Sequence, residues 1–201
     1  MIDFSQSKKP NIPIKILNNF YKIAHDKKQE HIEAATVSSI HVDGKYADSR
    51  YVNLKYITND SLIFFSNYSG VKSSQFEHNP VAHVTVLIYW SKTGTQIRMR
   101  GPIKKCNKSF SDLHFISRSI EKNALAISSK QSNRVSSYKE VLHNFNRVLE
   151  NENLKKRPPY WGGYQIKPVY FEFWQSNNYR INKREVYEYS DKKWNKYFLE
   201  P

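Results

Sequence analysis

The chain has one cysteine, Cys106, in 201 residues, so no internal disulfide can form. With no signal-peptide pattern at the N-terminus, that scarcity predicts a reducing, cytoplasmic setting. No apolar run approaches the roughly 20 residues of a membrane span. The six glycines and eight prolines are scattered, which argues against a long flexible linker, and no internal repeat is present. Acidic residues are also few: 18 Asp and Glu stand against 32 Lys and Arg, a formal charge of +14. Such a surface attracts anions, whether nucleic acid, anionic lipid or phosphorylated metabolites. The cations are dispersed, however. Lys8-Lys9, Lys104-Lys105, Lys155-Lys156-Arg157 and Lys192-Lys193 lie in different regions, without zinc-finger, RNA-binding-strand or basic-zipper signatures. Each cluster reads as solvated surface, and nucleic acid is not the expected partner.

Familiar catalytic motifs are missing too. There is no Walker-type phosphate loop, no dinucleotide GxGxxG and no GxSxG nucleophile elbow. The seven histidines do not fall into a metal-ligand pattern with cysteines or carboxylates, so no metal is expected. Cys106 lies among lysines, which lower a thiol pKa when they are close. Its plainer reading is an incidental thiol near a strand end.

What the chain does have is apolar and aromatic material, 39% hydrophobic and 14% aromatic residues, enough for a packed core. Residues 1–13 read as a polar tail and 14–29 as a helix on apolar spacing. Strands are expected at Ala34–His41, Arg50–Tyr56 and Ser61–Ser66, with turns at Val42–Lys45 and Asn59-Asp60. Ser69-Gly70 breaks the pattern, and a helix from Val71 to His78 should stop before Asn79-Pro80. Val81–Trp90 and Thr95–Lys105 read as strands, the second interrupted at Gly101-Pro102. Residues 108–151 have helical spacing. Strands return at Tyr164–Ile166, Val169–Gln175, Tyr179–Asn182, Val186–Tyr189 and Trp194–Phe198. Short strands with a helical excursion predict a mainly β fold, an antiparallel barrel with peripheral helices. The expected organisation is a tail and helix over 1–30, then one barrel domain over 31–201 with a helical insertion at about 108–151. Trp90, Trp161, Trp174 and Trp194 read as packing residues, and Gly162-Gly163 as a bulge or tight turn.

One anion site is suggested locally. The Ser69-Gly70 break leads into a helix start holding Lys72, Ser73 and Ser74, where free N–H groups and the helix dipole favour an anion. Arg50 could add counter-charge. Ordinary capping and solvated charge explain the same residues.

A longer pattern adds to this. Arg50-Tyr51-Val52-Asn53-Leu54-Lys55 is followed by Phe64-Phe65-Ser66-Asn67, then Lys72 and Gln75. Gln96 and Ser129-Lys130-Gln131-Ser132 come next, and the chain closes with Trp161-Gly162-Gly163-Tyr164, Phe171-Glu172-Phe173-Trp174-Gln175 and Arg180-Ile181-Asn182-Lys183-Arg184. In order and spacing this resembles the pyridoxine (pyridoxamine) 5'-phosphate oxidase family, from about Ala34 to Pro201. The resemblance implies an FMN-binding split β-barrel, antiparallel and Greek-key-like. It also implies a homodimer with flavin in clefts between two barrels. The implied activity is oxidation of pyridoxine or pyridoxamine 5'-phosphate to pyridoxal 5'-phosphate, hydride passing to flavin and oxygen serving as acceptor. Arg50, Lys55, Lys72, Gln96, Gln131, Ser132, Trp174 and Arg184 match flavin-binding positions, with Gln131 and Ser132 expected from across a dimer interface. Lys55, His114, Arg118, Lys122 and Arg180 match substrate-binding positions, and Arg180 and Asn182 the catalytic pair. Arg50 and Lys55 are five apart, so they serve one ligand only if the strand ends or bulges near Lys55.

The chain departs from that pattern at four positions. Val71 stands where the family carries an arginine, His114 replaces a Tyr, Lys122 a Ser, and Asn182 the His of an Arg-x-His motif. Asn can hydrogen-bond but cannot titrate near neutral pH. Two alternatives are therefore carried: a related FMN-dependent oxidase with another substrate, for example of the phenazine-biosynthesis type, and a non-catalytic split-barrel binder.

Overall fold

The computed structural model describes residues 1–5, 9–58, 60–78 and 83–201. The turn expected at Asn59, the stop at Asn79-Pro80 and the strand start at Val81 lie outside the described residues. Among the described residues there are five α-helices: α1 (Ile12–Asp26), α2 (Val71–His78), α3 (Lys108–Ser117), α4 (Ile120–Ser128) and α5 (Tyr138–Asn151). The strands are β1 (Ala34–Ile40), β2 (Ala47–Asn53), β3 (Tyr56–Thr58), β4 (Ser61–Asn67), β5 (Val84–Trp90) and β6 (Thr95–Gly101). They continue with β7 (Ile103–Lys105), β8 (Trp161–Ile166), β9 (Tyr170–Gln175), β10 (Lys183–Ser190) and β11 (Lys193–Phe198).

The strands form two antiparallel sheets. One has seven strands in the order β11-β10-β9-β6-β5-β1-β2, the other four in the order β3-β4-β8-β7. The alternation of β6 drives this. Ile97 and Met99 face inward at 0% exposure, while Gln96, Arg98 and Arg100 face away. Val37, Val86, Phe171 and Phe173 join them from the large sheet, and Leu62, Phe64, Tyr164 and Ile166 from the small one, in a single core. Each such buried side chain contributes about 1.5–3 kcal/mol before chain entropy is charged against it. Helix α1 starts where the Ile14 N–H donates to Asn11 Oδ1 at 3.0 Å, with Pro13 in its first turn. It docks Leu17, Tyr21 and Ala24 on the same core.

Four sequence expectations change. Tyr179–Asn182 is not a strand but a turn, with Tyr179 and Arg180 both left-handed at φ 56° and 63°. Its apolar residues lie uncovered: Tyr179 is 93% exposed and Ile181 66%. Gly162 and Gly163 lie inside β8, paired with Ser66 and Phe65, and make neither bulge nor turn. Their missing side chains make room instead for Tyr68 and Ser111 at Gly162 and for Cys106 at Gly163. The expected strand Arg50–Tyr56 is broken: β2 stops at Asn53, and the Lys55 N–H donates to the Ile63 carbonyl at 2.8 Å ahead of β3. Burial outweighs the lysines at Cys106 and pushes its thiol up to about 11.

Candidate active site

The break after Asn53 turns Lys55 out of the β2 strand register and into a cavity of about 320 Å³. Lys55, Lys72, His114, Arg118, Lys122 and Gln131 share this cavity, together with Phe65, Ser66 and Trp161. They arrive from the β2–β3 link, α2, α3, α4 and the segment after α4, so folding alone brings them together. An adjoining cavity of about 210 Å³ shares Phe65, Ser66, Arg118, Lys122, Gln131 and Trp161.

The cavity is cationic. Four of its lining residues are Lys or Arg and none is Asp or Glu. Among the described residues, Lys55 has a distant carboxylate, Glu33 at 3.9 Å. Lys72, Arg118 and Lys122 take part in none of the ion pairs. Lys72 Nζ donates instead to Ser66 Oγ at 2.9 Å and to Gln131 Oε1 at 2.7 Å. Burial, helped by nearby Arg50, lowers its pKa. The Arg118 guanidinium lies 4.3 Å above the Trp161 ring and donates from Nη2 to the Lys122 carbonyl at 2.8 Å. Its Nη1 is buried without a partner, and burial lowers the pKa to about 10. His114 stacks on Phe65 with ring centroids 3.6 Å apart, and its Nδ1 is 2.8 Å from the Tyr56 hydroxyl. Burial first, then Arg118 and Lys55, hold it at about 4, so it is neutral at physiological pH.

Arg50 sits behind this group. It donates to Ser39 Oγ at 2.7 Å and to Gln75 Oε1 at 2.8 Å, and Asp48 lies 3.6 Å away. Gln131 accepts from Lys72 within its own chain and packs its amide oxygen against Gly70 at the start of α2. Ser132 is exposed and left-handed at φ 72°. It lines a neighbouring cavity of about 580 Å³ with Arg134 and Arg147.

The remaining positions form a second group on the outer face of the large sheet. Gln96 pairs in register with Trp174, and Trp174 with Arg184. Arg184 donates from Nε to Glu172 at 2.9 Å and from Nη1 to the Glu200 carbonyl at 2.8 Å. Arg180 and Asn182 stand on the exposed turn beyond, and none of this second group lines the cation-rich cavity. Asn182 Oδ1 accepts from the Asn177 N–H at 3.1 Å, closing the turn.

Sequence reasoning missed Trp161, Phe65, Ser66 and Tyr56 as site residues. Trp161 reads as packing, and at 6% exposure it is packed; only the fold shows Arg118 lying on its face. A usable signal was Gly162-Gly163, which keeps the strand beside Trp161 thin enough for α3 and Tyr68 to close over it.

Comparison with known proteins identifies the family and the fold. Residues 161–201 match the pyridoxine 5'-phosphate oxidase C-terminal dimerisation region. The pyridoxine/pyridoxamine 5'-phosphate oxidase of Legionella pneumophila (strain Lens) is 35% identical over 170 residues, covering 84% of this chain and 78% of the relative. An enzyme named pyridoxine/pyridoxamine 5'-phosphate oxidase 1 from Hydrogenovibrio crunogenus is 33% identical over 180 residues, covering 88% and 81%. Among solved structures, PhzG from Burkholderia lata, in complex with tetrahydrophenazine-1-carboxylic acid, superposes with a TM-score of 0.89 at 24% identity, covering 96% and 95%. An FMN-binding protein related to pyridoxamine 5'-phosphate oxidase from Nostoc punctiforme superposes at 0.78 with 13% identity, covering 95% and 98%, and shares the fold. By its identity to the Legionella and Hydrogenovibrio enzymes, the chain belongs to the pyridoxine/pyridoxamine 5'-phosphate oxidase family.

Proposed function

We propose that this protein is an FMN-dependent oxidase that converts pyridoxine or pyridoxamine 5'-phosphate to pyridoxal 5'-phosphate, with oxygen as the final acceptor. The observation that carries the reading is the uncompensated charge of the cavity. Among the described residues, Lys72, Arg118 and Lys122 have no carboxylate within ion-pair reach, and the buried Arg118 Nη1 has no acceptor. Partial burial of an unpaired cation is costly, as for half-buried Lys72 and Arg118, and a phosphate would remove that cost. The donor set therefore fits both a phosphorylated flavin and a phosphorylated substrate.

Bound FMN supplies the two-electron acceptor. Lys72, Gln131, Ser132 and Arg50 would hold it from one side, and Gln96, Trp174 and Arg184 from the face of the large sheet. Lys55, Arg118 and Lys122 would bind the substrate phosphate and ring substituents, with His114 as a neutral hydrogen-bonding partner. Arg180 would reach the substrate from its exposed turn. Asn182 cannot take up a proton at neutral pH, so its part is to orient. The protein is a homodimer in this reading, since the two residue groups share no cavity within one chain and residues 161–201 match a dimerisation region. Residues 31–201 act as one domain, with 108–151 as its helical insertion.

The changed cavity residues His114 and Lys122 favour a second reading, a related FMN-dependent oxidase with another substrate. Anaerobic mixing of FMN-loaded protein with the two vitamin B6 phosphates separates them. Bleaching of the flavin's visible band, with pyridoxal phosphate formed on readmission of air, supports the first. A spectrum that stays oxidised supports the second, and failure to load FMN refutes both.

A further inference from the structure

Glu172 is the single fully buried carboxylate among the described residues, 3% exposed. It lies on β9 two residues before Trp174, and so on the same outer face of the sheet. It is not paired one to one. Its Oε1 accepts from Arg184, with Nε and Nη2 both at 2.9 Å. Its Oε2 accepts from Arg98 Nε at 3.1 Å, from Arg98 Nη2 and from the Tyr170 hydroxyl at 3.1 Å. Arg98 stands directly opposite on β6, and Arg184 comes diagonally from β10. One carboxylate between two guanidiniums leaves a net positive charge on this face. A cross-strand tie alone would need one partner, and an apolar pair would serve as well. Two anchors on Arg184, Glu172 on one edge and the Glu200 carbonyl at 2.8 Å on another, fix the fork beside Trp174.

We propose that Glu172 is a positioning residue: it sets the Arg184 guanidinium beside Trp174, so that the unspent N–H groups of Arg184 are held ready for the flavin. This rests on the reading that Arg184 helps to hold FMN. A preset donor binds its anion without first losing side-chain freedom, so releasing the fork weakens binding although the flavin never touches Glu172.

The test is a double-mutant cycle on the full-length protein stripped of flavin, read as the FMN dissociation constant from flavin fluorescence quenching. Glu172→Gln keeps the shape and loses the charge, and about a tenfold rise in Kd is expected. Glu172→Asp keeps the charge on a shorter arm and should recover most of that loss, leaving a rise of about threefold. Arg184→Met should weaken FMN by about tenfold or more, and adding Glu172→Gln to it should change Kd by less than about twofold. Losses that multiply in the double variant, or a Glu172→Gln protein that binds FMN normally while Arg184→Met does not, overturn the proposal. A normal Kd for Arg184→Met overturns the underlying assignment of Arg184 instead, and the proposal with it. Melting of the flavin-free proteins shows whether each variant folds. Where Glu172→Gln does not, Glu172→Asp decides, alone and in the Arg184→Met background.

Discussion

His114 provides a test of the cavity electrostatics that needs no ligand. Its ring is stacked on Phe65, tied to the Tyr56 hydroxyl and flanked by Arg118 and Lys55. Burial and those cations hold its pKa at about 4, against about 6.5 for an ordinary histidine. The folded state thus refuses a proton that the unfolded state accepts, and stability falls as pH drops below about 6.5, levelling off below about 4. Between about pH 7 and about pH 5 the linkage amounts to about 2 kcal/mol, an upper figure because solvent screens part of the repulsion. Other groups also titrate here, so the comparison is between the wild type and His114→Phe, each unfolded with urea at both pH values. The wild type should lose about 2 kcal/mol more than the variant on acidification. A parallel loss in both proteins would refute the placement of an uncharged His114 among these cations.

Further expectations concern neighbouring residues. Lys72→Met removes a half-buried cation with no carboxylate partner among the described residues, and FMN affinity measured by fluorescence titration should fall roughly tenfold to a hundredfold. Arg118→Leu should raise the KM for a phosphorylated substrate with little change in the FMN Kd; a weakened flavin complex instead would place Arg118 in the cofactor site. Gly162→Ala forces a methyl group into the Tyr68 ring and towards Ser111. It should cost about 1–3 kcal/mol in urea unfolding, and a neutral result would mean that the strand can shift away from Tyr68.

Much of the fold was legible because local chemistry and the final packing agree. Helix α2 runs Val71–His78 as the Gly70 break predicts. The alternation of β6 points Ile97 and Met99 to the core and Gln96 outward, as read from the sequence. Tyr179–Asn182 was misread for a physical reason. Tyr179 and Ile181 alternate with polar residues like a strand, yet they are 93% and 66% exposed and pack on no face among the described residues. Alternation cannot reveal left-handed backbone at two residues that are neither Gly nor Asn. The side-chain ties of Asn177 and Asn182 that shape the turn are equally invisible to it. The break at Lys55 shows the same limit. The Arg50–Lys55 spacing exposed a conflict between the strand and a shared ligand, and β2 ends just where that conflict requires it to.

The site is harder to read, since its members lie far apart in sequence and the net charge of +14 does not mark it. Pairing separates the cations better than number does. Glu172 is spent on Arg98 and Arg184, and Asp112 on Arg157. Glu185 is spent on Lys183 and Lys196, whose hydrogen bonds outweigh the effect of burial and hold it at about 2. These carboxylates serve the sheet and the helical segment, and none lines the cavity. Lys72 and Arg118 are left there with lowered pKa values and neutral hydrogen-bond partners. A fold that strengthened every cation would have placed carboxylates beside them. Leaving these two without a carboxylate costs stability, and in the proposed reading an anion bound at the cavity would offset that cost. The scattered surface lysines carry no such cost, so half-buried cations with neutral partners, and not the excess of positive charge, mark this cavity out.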